Sequence, residues 1–234
     1  MTNAIILPLE ADKELVIATD NSGAIGEKES DLVKTSNQIV GKFACRVVLM
    51  ECLAEYAEPV AVIMQNFTNE EAWQGYESGV REELAAAGIA GLPITGSTES
   101  NFQTFQSGLG LTLIGKREKR NSYQWTGGES FAVIGAPFTG QAVLENNRQI
   151  PSAGLLKKMA DITGVNSITP VGSKGIARTF QQWTGKGAEL QSELDLQASA
   201  GPATCFLIAF EQESTAEAEQ LAGRLFHLLK VSNY

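Results

Sequence analysis

Residues 40–64 constrain the fold more than any other stretch of the chain. Val40, Phe43, Ala44, Val47, Met50 and Ala54 recur at intervals of three and four, which predicts an amphipathic helix over residues 40–57. Glu58-Pro59 ends it, because the residue before a proline is driven out of the helical region. Val60 to Met64 follows at once as a continuous apolar run of strand length. A long helix feeding directly into a buried strand points to an α+β or mixed α/β architecture.

The rest of the chain repeats this alternation. Strands are expected at residues 4–7 and 14–19, with a loop from Asp20 to about Glu29 and a short strand within 31–40. Thr68 is placed to cap a second helix that runs to about Ala87, where Gly88 stops it. Leu92-Pro93-Ile94-Thr95 is a short strand leading into the polar turn Gly96-Ser97-Thr98-Glu99-Ser100-Asn101, and Leu109 to Gly115 is a strand. Arg117 to Gly128 is polar and carries Gly127-Gly128, the best boundary in the chain, so two domains are expected over 1–122 and 129–234. In the second half, strands are expected at Ser130–Ile134 and Thr204–Phe210. Helices are expected at 153–163, from Ile176 to about Trp183, and from Glu213 to Val231 as an amphipathic C-terminal helix.

Composition removes several classes of function. The 234 residues are 43% hydrophobic and 19% charged, enough to bury a sizeable core. A net charge of -9 disfavours a nucleic-acid partner, which needs a basic surface. Lys116-Arg117-Glu118-Lys119-Arg120 is the one basic cluster and reads as a solvated loop. Three cysteines without metal-like spacing provide neither a disulfide framework nor a zinc site, and a single histidine, His227, makes a histidine-based triad implausible. No stretch reaches the roughly 18 apolar residues of a membrane span, and no basic, apolar leader opens the chain, so a cytoplasmic protein is expected.

Three places carry chemistry. The strand ending at Ala18 enters Asp20-Asn21-Ser22-Gly23, a group that can bind a cation, hold a phosphate, or form a plain Asx turn. Glu51 interrupts the apolar run Val47–Ala54. It either belongs to a solvent stripe with Arg46, Glu55 and Glu58, or points inward and requires a cation or a ligand hydroxyl. Gly172-Ser173-Lys174-Gly175 opens a helix, where free N–H groups and the helix dipole favour an anion, although the Walker A pattern is absent.

Taken in order, these segments resemble the aminoimidazole ribonucleotide synthetase-like superfamily, which includes thiamine-monophosphate kinase and selenophosphate synthetase. The resemblance is carried by Asp20-Asn21-Ser22-Gly23-Ala24, then Leu32-Val33-Lys34-Thr35-Ser36-Asn37, then Glu51 eight residues before Pro59, then Ile94-Thr95-Gly96-Ser97-Thr98 and Thr112-Leu113-Ile114-Gly115-Lys116. It covers most of residues 14–118 and continues more loosely over 130–210, through Val133-Ile134-Gly135-Ala136-Pro137. It implies a two-domain fold whose N-terminal sheet pairs with that of a second subunit in a dimeric barrel. It also implies ATP held through Mg²⁺, and phosphorylation or activation of a small heterocyclic substrate.

By motif position, Asn21, Asn37 and Ser97 replace family aspartates, while Asp20 and Glu51 remain acidic. The resemblance therefore assigns the metal to Asp20 and Glu51. It assigns nucleotide contacts to Asn21, Ser22, Gly23, Asn37, Gly96, Ser97, Thr98 and Ser173, and catalytic roles to Lys174 and Glu99, with Asp31 a second candidate base. Within the superfamily the chain is similar to the short alpha-ribazole kinases, which phosphorylate the 5′-hydroxyl of alpha-ribazole in cobamide salvage. Another small heterocyclic substrate, or a nucleotide-binding sensor without turnover, stands as the alternative.

Overall fold

The computed structural model describes residues 2–185 and 187–232. They form two compact units, Asn3–Lys119 and a second that begins at Arg120. The first unit carries β1 (Ile5–Pro8), β2 (Lys13–Gly23), β3 (Ile25–Gly26), β4 (Val33–Lys34), α1 (Asn37–Ala54), β5 (Glu58–Asn66), α2 (Ala72–Ala86), β6 (Ile94–Thr98) and β7 (Gly108–Glu118). Its sheet has the order β1-β2-β7-β5-β6, antiparallel throughout except for the parallel pair β5 and β6.

Side chains alternate across this sheet. Val16, Ala18, Val62, Met64, Leu109, Leu111 and Leu113 are buried on the face that α1 covers. The opposite face carries Ile5, Leu7, Leu15, Ile17, Ile63 and Ile114, none of them buried.

The two helices cross with their backbones in contact. A Cβ on Gly79 would overlap the Gln38 carbonyl, and one on Gly41 would overlap that of Tyr76. Glycine at both positions is what lets the helices approach so closely. Beside the crossing, Arg46 Nε and Nη2 donate to Glu83 Oε1 and Oε2 at 2.9 and 3.1 Å, both side chains almost fully buried. Ser36 caps α1, its hydroxyl accepting from the Ile39 N–H. Thr68, expected to cap α2, does not: its hydroxyl pairs with Tyr76 Oη at 2.6 Å, Glu71 stands at the cap position, and Asn69 Oδ1 accepts from the Ala72 N–H at 3.0 Å.

The second unit carries β8 (Ser130–Gly135), α3 (Gln141–Glu145), α4 (Ala153–Ala160), β9 (Val165–Pro170), α5 (Gly175–Thr184), β10 (Glu189–Gln191), β11 (Cys205–Phe210), α6 (Thr215–Ala222) and β12 (Phe226–Ser232). Its antiparallel sheet runs β10-β12-β8-β11-β9. Phe131, Val133, Leu207 and Ala209 pack there against Ile176, Phe180 and Trp183 of α5.

Three expectations are corrected. The C-terminal helix ends at Ala222, and Phe226–Ser232, with His227, is a strand paired to β8. Gly223, at φ +56, breaks the helix, and β8 would otherwise lack a partner on that side. Asp20 to Gly23 continues β2 rather than forming a loop, because all four residues pair with β7. Arg117 is not solvated: Nε donates to Glu14 at 2.9 Å, and Nη1 donates to the Glu55 carboxylate and carbonyl at 2.7 Å.

Candidate functional site

Asp20 lies on the helix-facing side of β2, in the same alternation as Val16 and Ala18, and close enough to Glu51 of α1 for their charges to interact. Burial pushes the Asp20 carboxyl up to about 6; the Asn21 N–H opposes this and the Glu51 charge adds to it. Glu51 is only 7% exposed, which overturns the solvent-stripe reading. Burial raises its carboxyl too, against the pull of Asn3, whose N–H and side-chain amide donate to the two Glu51 oxygens at 2.8 and 3.2 Å.

Among the described residues, no lysine or arginine pairs with either acid. None of the described residues forms a group of three metal-ligating side chains. Two carboxylates with hard oxygen donors fit one Mg²⁺, which takes one or two protein carboxylates and completes its shell with water and phosphate oxygens.

The other nominated residues of this unit divide between the two sides of the sheet. Asn21 points to the face opposite Asp20 and is exposed. Register aligns Asn21 with Gly110, Gly110 with Gln65, and Gln65 with Ser97. Asn21 and Ser97 thus stand three strand spacings apart, about 14 Å. Ser22 and Gly23 close the strand opposite Leu109 and Gly108. Gly96 is required by packing, since a Cβ there would overlap the Met64 backbone. Thr98 Oγ1 accepts from Asn66 Nδ2 at 3.1 Å. Asn37 sits in the first turn of α1, its N–H donating to Glu27 at 2.9 Å, while its buried Oδ1 has no hydrogen-bond partner. A buried acceptor without a partner is costly, and an external donor would satisfy it.

Glu99 follows β6 and accepts from the N–H groups of Asn101 and Phe102 at 2.7 and 3.3 Å. It lines a cavity of about 680 Å³ between the 99–107 loop, residues 28–30 and the start of α2. Asp31 is corrected as a base. It accepts from Ser107 N–H and Oγ, both at 2.7 Å, and from Lys28 N–H at 2.8 Å. Burial alone would raise its carboxyl, but these donors hold it below the usual carboxylate range. Asp31 therefore anchors loops. Sequence reasoning missed Lys28, Phe102 and Thr104 in this cavity; they lie in stretches without periodicity, and only the bridge between residues 28 and 104 brings them together.

In the second unit, Ser173 and Lys174 are exposed at the start of α5. The N–H groups there are less available than a bare helix start implies. Gly175 donates to Gly172 and Ala177 donates to Leu196. Gly175, at φ +80, is glycine because residues 196–197 pass against it.

No family model matches the sequence. Nor does any curated protein sequence. Solved structures do match. Thermotoga maritima PurL complexed with ADP superposes with a TM-score of 0.68 at 11% identity, over 100% of this chain and 42% of that one. A chain of the HypE–HypF complex gives 0.67 at 12% identity, over 98% and 87%. Escherichia coli HypE, a hydrogenase maturation protein, gives 0.63 at 14%, over 93% and 80%. The chain thus spans about two fifths of PurL and most of HypE. These identities establish the fold alone: two α/β units of the PurM-like, aminoimidazole ribonucleotide synthetase-like type.

Proposed function

We propose that the chain is an ATP-dependent kinase that phosphorylates a small nucleoside-like molecule, alpha-ribazole to alpha-ribazole 5′-phosphate in cobamide (vitamin B12) salvage, acting in the cytoplasm as a homodimer. The observation that carries this reading is the Asp20–Glu51 pair. Two largely buried carboxylates near one another, each pushed up by desolvation and, among the described residues, without a lysine or arginine partner, are costly unless a cation joins them. Support also comes from the resemblance, which puts the metal at these two positions, and from the fold shared with PurL, a protein crystallised with ADP, ATP and AMPPCP.

Asp20 and Glu51 would hold Mg²⁺, which would supply positive charge to the phosphate oxygens of ATP. Asn21, Ser22 and Gly23 are assigned to the nucleotide with Asn37, whose unpaired Oδ1 would accept from it. Gly96, Ser97 and Thr98 are assigned to phosphate or substrate. Glu99 takes the proton of the attacking hydroxyl as its oxygen bonds to the γ-phosphorus and the bond to ADP breaks. In the second unit Ser173 and Lys174 are assigned to phosphate, with the exposed ammonium supplying positive charge.

Incubation with ATP, Mg²⁺ and alpha-ribazole should yield ADP and the 5′-monophosphate. Glu51→Gln should lower turnover by at least a hundredfold while the protein remains folded; near-normal turnover would remove Glu51 from the site. A second reading, a nucleotide sensor, is favoured by Asn21, Asn37 and Ser97, which stand where the resemblance expects aspartates. ATP binding without turnover of any heterocyclic alcohol would select it.

A further inference from the structure

We infer that the cavity beneath the 99–107 loop is a binding subsite for a planar cationic small molecule, an amidinium or a protonated nitrogen heterocycle. Two observations meet there. The first is a pair of aromatic rings left in water: Phe102 is 78% and Phe105 is 85% exposed, and both line the cavity. Slackness does not explain this. Lys28 Nζ donates to the Thr104 carbonyl and hydroxyl at 2.7 and 2.6 Å, and the same hydroxyl donates to the Phe67 carbonyl at 2.8 Å. Gln106 Nε2 donates to the Ser30 carbonyl at 2.7 Å, and Ser107 is held by the buried Asp31. The loop is thus pre-formed, and its two exposed phenylalanines border the cavity. Ligand sites are built in this way, as concave, largely preorganised surfaces, and about 680 Å³ lies within their usual size.

The second observation is the sign of the lining. Glu29, Glu70, Glu71 and Glu99 all border the cavity. Lys28 is the only base among the lining residues; its ammonium is held at Thr104, and its one positive charge is outnumbered by the four glutamates. Glu70 and Glu71 also suit the amino end of α2, but Glu29 belongs to no helix. A triphosphate would be repelled here. A flat cation gains twice, from the negative faces of the phenyl rings and from charge-assisted hydrogen bonds to carboxylate. Joined to the kinase reading, this assigns the acceptor's ring, and not ATP, to the cavity; the binding itself does not depend on that reading.

Three isosteres of different charge test the inference: benzamidine, benzamide and benzoate, titrated calorimetrically into the intact chain at pH 7. Benzamidine should bind at one site, benzamide at least tenfold more weakly, and benzoate not at all. The double variant Phe102→Ala/Phe105→Ala should lose benzamidine affinity at least tenfold with an unchanged thermal midpoint, since both rings lie outside the core. Equal binding of benzoate and benzamidine, or full benzamidine affinity in the double variant, would overturn the subsite. ATP is titrated in parallel. A chain that binds ATP but no benzamidine sinks this inference alone, and one that binds benzamidine but no ATP sinks the nucleotide reading alone.

Discussion

At the residue scale, the cost of burying the Asp20 carboxylate, increased by the nearby Glu51, determines how the protein responds to pH. A carboxyl raised from 3.8 to about 6 binds its proton more tightly in the folded than in the unfolded chain. Its favourable contribution is therefore complete below pH 3.8 and is lost as the pH rises through about 6. At pH 7 the charged form is a penalty of about 1–2 kcal/mol after allowance for partial solvent screening. Asp20→Asn should accordingly raise the thermal midpoint at pH 7, with the gain gone by pH 4. Mg²⁺ should stabilise the parent chain and leave the variant unmoved. A variant no more stable than its parent at pH 7 would show that Asp20 is already compensated. Asn3 acts in the opposite sense on Glu51. Asn3→Ala removes one of two donors to a buried carboxylate and should cost about 1–2 kcal/mol in a denaturant titration. The acidity of positions 20 and 51 was legible in the sequence, and so was the oddity of Glu51 in an apolar run. Its partner was not, because Asn3 lies 48 residues away and nothing local marks it.

At the scale of elements, periodicity placed α1, β5, α5 and β11 well, since each buries a face that its own residues announce. It failed where tertiary pairing decides. Phe226 to Val231 contains enough apolar residues for a helix stripe, but the long-range register Phe226↔Ile134 and Leu228↔Ala132 makes it a strand. It failed again at Asp20–Gly23, where turn-forming residues are held extended by eleven paired positions between β2 and β7. The α1–α2 contact depends on two features that patterning does not weigh, the glycines at 41 and 79 and the buried Arg46–Glu83 pair. Truncating one member of such a pair strands a charge in the interior. Arg46→Ala should therefore destabilise the first unit by about 3–5 kcal/mol, far more than loss of the exposed Lys13–Glu10 bridge, whose removal should be nearly silent. Equal effects of the two substitutions on the denaturation midpoint would show that the buried pair is water-accessible.

At the scale of the whole molecule, the first sheet has one face covered by a helix and another that is left half-exposed and apolar. Ile5 and Ile17 stand opposite each other, Ile17 faces Ile114, and Leu7 faces Leu15, so a continuous aliphatic strip crosses β1, β2 and β7. Ile5 is 59% and Leu7 is 44% exposed, in an edge strand with no buried residue. Strips of this kind mark association surfaces, because a single exposed aliphatic is ordinary but a contiguous row is not. The acidic balance of the chain argues against nucleic acid as the occupant, and a second copy of the same strip is self-complementary. The strip is legible in the sequence only after the register is known; read along the chain, its members look like the ordinary alternation of a half-buried strand. Sedimentation of the full chain at tens of micromolar should show a dimer. Ile17→Lys/Ile114→Lys should weaken it at least a hundredfold while leaving the helix-facing core, and therefore the circular dichroism spectrum, unchanged. If the parent chain sediments as a monomer, the sheet-to-sheet dimer is wrong. If the double variant still dimerises, the interface lies elsewhere.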